Sequence, residues 1–309
     1  MIITVTMNPA IDKTAYVESF KPGGLNRLMN IILDAGGKGI NVSKTIKELG
    51  EQTVACGFVG GSSGKLFRKL LSEQGIHTDF VELQDDIRTN LKVMEAGGSI
   101  TEFNEPGPMV TEEELECLVN KLLGYACEDN IFVLAGSIPG GVPGDIYGKL
   151  TRLLRKKGSK VIVDSDGELL VNALEAAPDV IKPNRQELEE YFNLNSTGDK
   201  TELIALGKKL LDKGIGMVTI SLGPQGAIFV TKERVLYCPG LRVEAHSTVG
   251  AGDAMTAALA YGLQRGLPLE EYAKLGVAVS AGAVTTKGTK PPSLELVNEL
   301  LTQVDIWEY

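Results

Sequence analysis

Apolar residues follow two alternating patterns along this sequence. Short, nearly continuous apolar runs lie at 2–7, 53–60, 130–136, 160–165, 179–184 and 216–223. Runs of this kind are typical of strands in a parallel sheet that is covered on both faces. Between them, apolar residues recur at helical spacing, as in 39–50 and 63–75, and each of these two segments ends at a glycine. The alternation predicts an α/β fold built from right-handed βαβ units.

Two regions depart from this pattern and alternate polar and apolar residues as hairpin strands do. They span 14–34 and 88–104, with glycine-containing turns at 23–24 and 97–98. We expect them to form a small β-sheet that lies over one edge of the core as a lid. Neither a Pro/Ser-rich linker nor an internal repeat divides the chain, so we expect residues 1–309 to form a single domain.

Composition and charge argue against several classes of protein. The 309 residues are 43% hydrophobic and 23% charged, as in ordinary globular proteins, and the net charge is −9. An acidic chain disfavours a surface that binds nucleic acid or an anionic membrane. The four cysteines include no CxxC pair, which argues against zinc sites and disulfide frameworks. No run reaches the roughly 18 apolar residues of a membrane span, and the N-terminus does not resemble a signal peptide, so we expect a cytoplasmic protein.

Polar or glycine-rich motifs follow several of the predicted strands directly. They are NPAID at 8–12, GSIPGG at 136–141, DSDGE at 164–168, KPNRQE at 182–187 and SLGPQG at 221–226. Ligands of open parallel sheets bind beyond the carboxyl ends of the strands, where all of these motifs would lie. Turn chemistry explains each motif alone, but their shared position predicts a ligand site at this edge.

The segment DAGGKGINVSK at 34–44 opens a predicted helix with three glycines within four residues. Glycine costs conformational entropy, so its use here indicates that the backbone approaches a ligand closely. Lys38 would supply a positive charge, and Asn41 would supply a donor and an acceptor. An ordinary helix start with a solvated lysine is the alternative interpretation.

Asp12 and one predicted lid strand offer further polar groups. Asp12 follows the first strand directly, where it would accept hydrogen bonds from sugar hydroxyls or only form part of a turn. Arg88, Asn90 and Lys92 alternate on one face of the lid strand. That face would point a cation into the cleft, and the alternative is a solvated surface.

Asn184 and Glu187 stand three residues apart at a predicted helix start, which places both on one face of the helix. Their oxygens would suit Mg²⁺, directly or through water. The same spacing fits a capping box, in which each side chain satisfies a backbone N–H of the other residue. The two interpretations are compatible, and both stay open.

Two common nucleotide-binding motifs are not matched. Gly250 and Gly252 resemble the start of a dinucleotide fingerprint, but Met255 takes the place of the third glycine, which disfavours an oxidoreductase. No GxxxxGK[ST] stretch occurs, which excludes a P-loop kinase. The remaining feature is a glycine-rich turn that opens a helix, a favourable site for an anion, with Asp253 set beside it.

Together, these motifs resemble one family. The GAGD turn at 250–253 with its preceding Thr-Val, GGKGINVS at 36–43 and KPNRQE at 182–187 occur in the order found in ribokinase-like carbohydrate kinases of the PfkB family. NPAID, RTN and NEPGP resemble its branch of 1-phosphofructokinases and tagatose-6-phosphate kinases. The resemblance implies a three-layer α/β/α core with a mostly parallel sheet and a small β-sheet lid.

The resemblance also implies an activity. It implies ATP-dependent phosphorylation of a ketohexose phosphate with Mg²⁺, converting fructose 1-phosphate to fructose 1,6-bisphosphate. Tagatose 6-phosphate is the alternative substrate. A non-catalytic regulator that binds a sugar phosphate is a remoter alternative, and the presence of Asp253 and Glu187 favours an enzyme.

Each matching residue receives a role from the resemblance. Asp253 would be the catalytic base, and the backbone N–H groups of Gly250, Ala251 and Gly252 would form an anion hole. The sugar-phosphate side would comprise Asp12, Gly37, Lys38, Asn41, Arg88, Asn90, Arg27 and Ser137, with Lys38 and Arg88 near the substrate phosphate. The nucleotide side would comprise Lys182, Asn184, Ser221, Gly223, Gly226 and Thr248, and the Mg²⁺ side would comprise Glu187, Asn184 and Asp164.

The sequence departs from the family pattern at several of these motifs. Ala135 and Ile138 replace the usual Ser and Leu, and Ala254 stands where Ser is frequent. Asp166 also replaces a common Ser, so the carboxylate nearest the metal stays open. The strand edges of the lid raise the hypothesis of a homodimer that forms through it.

Overall fold

The computed structural model describes residues 1–286 and 288–309, which form two β-sheets and the helices that cover the larger one. The strands are β1 (Ile2–Thr6), β2 (Ala10–Val17), β3 (Asn30–Gly36), β4 (Thr53–Gly60), β5 (His77–Leu83), β6 (Arg88–Glu95), β7 (Ile100–Asn104), β8 (Ile131–Ala135), β9 (Lys160–Asp164), β10 (Val180–Ile181), β11 (Met217–Ser221), β12 (Ala227–Val230), β13 (Val235–Cys238) and β14 (Trp307–Glu308). The helices are α1 (Lys38–Glu48), α2 (Gly61–Glu73), α3 (Glu112–Tyr125), α4 (Ile146–Lys156), α5 (Gly167–Leu174), α6 (Arg185–Tyr191), α7 (Lys200–Leu211), α8 (Ala251–Arg265), α9 (Leu269–Val284) and α10 (Leu294–Leu301).

The large sheet has 10 strands in the order β14-β13-β12-β11-β10-β9-β8-β1-β4-β5. The strands from β11 to β5 run parallel, and β12, β13 and β14 add an antiparallel edge. All six strands predicted from apolar runs are confirmed, although β10 is only 2 residues long. The mostly parallel α/β fold is therefore confirmed.

The core explains why the strands read as continuous apolar runs. In β8, Phe132 and Leu134 pack into the core under α3 to α7, whereas Ile131, Val133 and Ala135 pack into the core under α1, α8, α9 and α10. Both faces of the sheet are thus covered by helices, which makes the three layers. No helix within the described residues is long and apolar enough to cross a bilayer.

The small sheet has 4 strands in the order β3-β2-β6-β7. Its strands do not have the predicted bounds, because β2 begins at Ala10 and β3 continues to Gly36, beyond both ends of 14–34. Asp12 consequently lies within a strand and not in a turn. The base of this sheet packs on α2 through Ile11 and Ala35, and this packing extends the strands towards the core. Its role as a lid stays a prediction, as does the single domain.

Candidate active site

Polar side chains from separate elements meet where the carboxyl ends of β8, β9 and β10 approach the first turns of α1 and α8. Three contacts between side chains connect these elements. Lys38 of α1 pairs with Asp164 of β9, Asn41 of α1 bonds to Asp253 of α8, and Thr256 of α8 bonds to Asp164. This edge of the sheet is the one that the motifs predict.

Asp253 lies in the first turn of α8 and is 8% exposed. Gly250 precedes the helix with φ 87°, a left-handed conformation that favours glycine. The Asn41 Nδ2 donates to Asp253 Oδ2 at 2.8 Å, which fixes the carboxylate. Burial, reinforced by the nearby charge of Asp164, raises the pKa of Asp253 to about 6 despite the opposing effects of Asn41, Lys38 and Lys182. A buried carboxylate with this pKa is suited to accept a proton near neutral pH.

Asp164 joins two lysines to α8. Its Oδ1 lies 3.5 Å from both Lys38 Nζ and Lys182 Nζ, and its Oδ2 accepts a bond of 2.6 Å from the Thr256 hydroxyl. Burial opposes the charged form of Asp164, but the two lysines and the hydroxyl outweigh it and lower its pKa. Asp164 in turn is the largest cause of the raised pKa of Lys38. The Asp164 carboxylate therefore stays charged and holds the ammonium groups of both lysines at the site.

Arg88 belongs to a second group of polar contacts. Its Nε donates to the carbonyl oxygen of Asn8 at 3.2 Å, and its Nη1 donates to the carbonyl oxygen of Glu105 at 3.3 Å. The Asn8 side chain also contacts Ser137, with 3.4 Å between Nδ2 and Oγ. Arg88, expected near the substrate phosphate, and Ser137, expected on the sugar-phosphate side, are thus linked through Asn8.

Asp12 faces the same side of the small sheet as Asn90. Asn90 Nδ2 donates to Asp12 Oδ1 at 3.0 Å, and Lys92 Nζ lies 3.9 Å from Asp12 Oδ2. Asp12 also contributes to the charge environment of Arg88, whose pKa is lowered by burial although Asp12 and Glu105 oppose this. The residues predicted to contact a sugar therefore adjoin Arg88.

The expected nucleotide side lies farther along the sheet. Asn184 and Glu187 form a capping box at the start of α6, in which Asn184 Oδ1 accepts from Glu187 N at 2.9 Å and Glu187 Oε2 accepts from Asn184 N at 2.9 Å. Asn184 pairs with Ser221 in an isolated bridge next to β10 and β11. Beyond Ser221, Gly223 and Gly226 have φ values of 57° and 95°, so this turn depends on glycine.

Comparison with known proteins decides the family. The model of the pfkB family carbohydrate kinases matches residues 5–296. The chain belongs to this family. As a carbohydrate kinase, it is a phosphotransferase with an alcohol group as acceptor, and ATP is its co-substrate. The three-layer fold with a separate small sheet is therefore the ribokinase-like fold that the resemblance implied.

Individual relatives cover this kinase over its whole length. It is 37% identical over 306 residues to the 1-phosphofructokinase of Bacillus subtilis (strain 168), covering 99% of both chains. The crystal structure of phosphofructokinase-2 from Escherichia coli with potassium has a TM-score of 0.94 at 32% identity and covers 98% of both chains. The structure of the same protein with fructose-6-phosphate has a TM-score of 0.92 at 30% identity and covers 98% of both chains.

The glycines around Lys38 allow close packing that a side chain would prevent. A Cβ at Gly36 would lie 2.5 Å from Asp12 Cγ, and a Cβ at Gly39 would lie 2.5 Å from Thr6 Oγ1. Gly37 combines a φ of 123° with a Cβ position 2.6 Å from Thr6 Cγ2. These three glycines let the start of α1 approach β1 and Asp12, a reason for glycine that the sequence interpretation did not consider.

The remaining expected residues lie in different surroundings. Arg27 lies in the exposed connection between β2 and β3, and no side-chain bond within the described residues joins it to the site. Thr248 precedes α8, and its carbonyl oxygen accepts from Ala251 N at 3.4 Å. A Cβ at Gly252 would lie 3.4 Å from Lys182 Nζ, so Lys182 sits beside the predicted anion hole.

Two residues of this site were not identified from the sequence. Thr256 bonds to Asp164, and its position one helical turn after Asp253 is the signal that could have found it. Asn8 links Arg88 to Ser137, although the sequence interpretation used only the motif around it. Asn8 could have been identified because it is a polar residue between the end of a strand and a proline.

Proposed function

We propose that this kinase transfers the γ-phosphoryl group of ATP to the C6 hydroxyl of fructose 1-phosphate and forms fructose 1,6-bisphosphate. The observation that supports this activity most strongly is the buried Asp253, with a pKa of about 6, at a helix N-terminus beside Lys182. The 1-phosphofructokinase of Bacillus subtilis, similar over both whole chains, supports the substrate.

Asp253 is the proposed general base. At neutral pH its carboxylate is largely deprotonated, so it can take the proton of the attacking hydroxyl. The bond from Asn41 keeps Oδ2 in place while Oδ1 stays available to the hydroxyl. A positioned base of this kind contributes roughly 10²–10⁴-fold to the rate.

The N–H groups of Gly250, Ala251 and Gly252 are the proposed anion hole. Gly250 caps α8 and the other two residues begin it, where backbone donors and the helix dipole favour negative charge. Ala251 N donates to the Thr248 carbonyl oxygen at 3.4 Å, so a bound anion would replace this long bond. Lys182 adds a positive charge beside them. Phosphoryl transfer depends mainly on positioning and on stabilising charge, and one oriented donor can supply about 3–4 kcal/mol.

Lys38 is proposed to serve the incoming phosphoryl group as well as the sugar side. Its ion pairs are with Asp164 at 3.5 Å and Asp166 at 4.0 Å, whereas Arg88 contacts Asn8 and Glu105. The charge of Asp253 also helps to raise the pKa of Lys38, which indicates that the two side chains are near each other. Arg88, with Ser137, is then the main ligand of the substrate phosphate.

Glu187 and Asp164, with Asn184, are the residues that would hold Mg²⁺. Burial raises the pKa of Glu187, and the charge of Asp164 adds to this effect. Mg²⁺ in phosphoryl-transfer sites is held by one or two carboxylates together with phosphate oxygens, and the donor set fits that chemistry. When bound, the ion would neutralise charge on the nucleotide phosphates.

The nucleotide is proposed to lie along Lys182, Asn184, Ser221, Gly223, Gly226 and Thr248. The sugar is proposed to contact Asp12, Gly37, Asn41 and Asn90. These two sets lie on either side of Asp253, since Asn41 bonds to Asp253 and Lys182 lies beside Gly252. The arrangement would bring the hydroxyl and the γ-phosphate together at the base.

The small sheet is proposed to act as a lid and to carry a homodimer interface that includes Arg27. Large apolar side chains are exposed on it, namely Leu25, Leu28, Met29, Ile31, Ile32, Leu33, Ile100 and Phe103. Ile31, Leu33 and Phe103 share one face of the sheet and Ile32 lies on the other. Exposed apolar surface of this kind commonly marks an interaction site. Closure over the sugar would exclude water and prevent ATP hydrolysis.

A substrate panel tests the proposal. The purified protein is assayed with Mg-ATP and fructose 1-phosphate, tagatose 6-phosphate or fructose 6-phosphate, and kcat/KM is compared. We expect the highest kcat/KM with fructose 1-phosphate. A higher kcat/KM with tagatose 6-phosphate would identify that sugar as the substrate instead. Binding of a sugar phosphate without turnover would support a regulator.

A further inference from the structure

Asn8 joins three segments at the sugar-phosphate end of the site. It follows β1 and is 4% exposed. Its Nδ2 lies 3.0 Å from the carbonyl oxygen of Pro106, 3.4 Å from Ser137 Oγ and 3.5 Å from the carbonyl oxygen of Ile138. One side chain therefore connects the end of β1 with the loop after β7 and the turn after β8.

The surroundings of Asn8 determine the orientation of its amide. All three neighbours of Nδ2 are oxygens, and a flipped amide would set its own oxygen against two carbonyl oxygens. In the orientation present, Oδ1 is buried and accepts no hydrogen bond from the described residues. A side chain at Gly107 would overlap that oxygen, so the loop is shaped around the amide.

The backbone of Asn8 holds the guanidinium of Arg88. The Asn8 carbonyl accepts from Arg88 Nε, and the Glu105 carbonyl accepts from Nη1. Glu105 precedes Pro106, the residue bonded to the Asn8 amide, so both anchors of Arg88 depend on Asn8. Within residues 1–286 and 288–309, Nη2 of Arg88 has no acceptor, which leaves it free to bind an anion.

The amide also directs the hydroxyl proton of Ser137. Because Asn8 Nδ2 donates to Ser137 Oγ, the hydroxyl proton of Ser137 can turn towards another acceptor. Ser137 is exposed, so that acceptor can be an oxygen of a bound ligand. A phosphate monoester would accept from Ser137 Oγ and from Arg88 Nη2 together.

We propose that Asn8 is a positioning residue for the phosphate group that the sugar substrate already carries. It acts through Arg88 and Ser137 without touching the substrate, and it sets the distance between their donors. The inference rests on the proposed function, in which Arg88 and Ser137 hold that phosphate. If Asn8 has this role, loss of its amide weakens binding of the sugar phosphate but not of ATP.

The test compares steady-state kinetics of Asn8→Ala, Asn8→Asp and Ser137→Ala with the wild type. We expect Asn8→Ala to raise KM for the sugar phosphate at least 10-fold. Its kcat should stay within about threefold and its KM for ATP within about twofold of the wild type. Asn8→Asp should raise the same KM further, because its carboxylate repels the Pro106 carbonyl oxygen and the ligand phosphate.

A double variant distinguishes positioning from general damage. If Asn8 acts partly through Ser137, the effects of Asn8→Ala and Ser137→Ala on KM should be less than multiplicative. Asn130→Ala is the matched control, since Asn130 is 7% exposed and its amide bonds to the Tyr125 carbonyl at the opposite edge of the sheet. It should lower thermal stability but leave KM for the sugar phosphate unchanged.

The outcomes separate this inference from the proposed function. An unchanged sugar-phosphate KM in Asn8→Ala, or equal changes for sugar phosphate and ATP, would overturn the role of Asn8 while leaving the activity in place. If the wild type itself neither binds nor phosphorylates a sugar phosphate by calorimetry and assay, both proposals fail. If Asn8→Ala does not fold, Asn8→Ser is measured instead, with the same KM increase expected.

Discussion

At the residue scale, burial raises the pKa of Asp253, the proposed base. The ordinary pKa of 3.8 rises to about 6, and burial is the largest cause. The bond from Asn41 and the charges of two lysines limit that rise. With a pKa of about 6, Asp253 is mostly charged at neutral pH and more basic than an ordinary aspartate, as its proposed role requires.

Replacement of this carboxylate tests the role of base. Asp253→Asn keeps the size of the side chain and can still accept the bond from Asn41, but it cannot take a proton. We expect kcat to fall by at least ~10²-fold and KM for the sugar phosphate to change little. Turnover at the wild-type rate would contradict the assignment.

The same variant should be more stable than the wild type at neutral pH. A group whose pKa is higher in the folded state contributes stability at low pH and loses it as the pH rises through about 6. Asp253→Asn should therefore raise the free energy of unfolding by about 1–3 kcal/mol at pH 8 and have little effect near pH 4. Urea unfolding at both pH values measures this, and a gain that is larger at pH 4 would contradict it.

Two cations at the site should differ in their kinetic effects. Lys38 lies with Asp164 and near Asp253, whereas Arg88 lies with Asn8 and Glu105. We expect Lys38→Met to lower kcat more than it raises the sugar-phosphate KM, and Arg88→Met to do the reverse. Steady-state kinetics of the pair provides the comparison, and identical effects would show that the two cations serve one phosphate.

At the scale of elements, β3 ends where α1 begins, and glycine permits the close approach. The position of Asp12 depends on Gly36, because a Cβ there would lie 2.5 Å from Asp12 Cγ. Asp12 belongs to β2, whose register places it opposite Asn90 of β6. The end of β3 thus fixes a polar group that the small sheet presents to the site.

Gly36→Ala tests this dependence. The added methyl group must displace the Asp12 carboxylate, so we expect KM for the sugar phosphate to rise several-fold while KM for ATP stays constant. Gly97→Ala is the control in the same sheet, because a Cβ at Gly97 meets nothing within 4 Å. Equal KM values for the two variants would argue against a role of Asp12 in binding the sugar.

On the scale of the whole molecule, the small sheet leaves apolar side chains uncovered. Ile32 is 45% exposed on the face of the sheet that also carries Asp12, and Leu28, in the connection before β3, is 46% exposed. A second copy of the chain packed on that face and on the connection before β3 would bury both side chains, and Arg27, which precedes Leu28, would lie at the interface.

Sedimentation velocity tests the dimer. We expect the wild type to sediment as a dimer at micromolar concentration and Ile32→Glu to sediment as a monomer, because the carboxylate would be buried at the interface. Val171→Glu is the matched control, since Val171 of α5 is 41% exposed but lies outside the small sheet. A monomeric wild type, or an assembly that Ile32→Glu leaves intact, would contradict the proposal.

The sequence by itself determined the parallel core and the edge where the polar motifs gather. Strands such as β8 are buried on both faces, so their apolar runs are local and readable, and the motifs that follow them must share one edge. The capping box of Asn184 and Glu187 was also predictable, because its two residues are neighbours in the chain.

Only the tertiary structure decided which polar groups meet. The bond between Asn41 and Asp253 joins residues 212 positions apart, and the bond between Thr256 and Asp164 joins residues 92 apart. The sequence offered Asp164 as a metal ligand, but its contacts with Lys38 and Lys182 depend on how three elements pack. The bounds of β2 and β3 were likewise set by packing on α2, and the link made by Asn8 arises from loops that are distant in sequence. Local patterns record which face a residue buries, whereas a site is a set of distances between elements, and those exist only once the chain has folded.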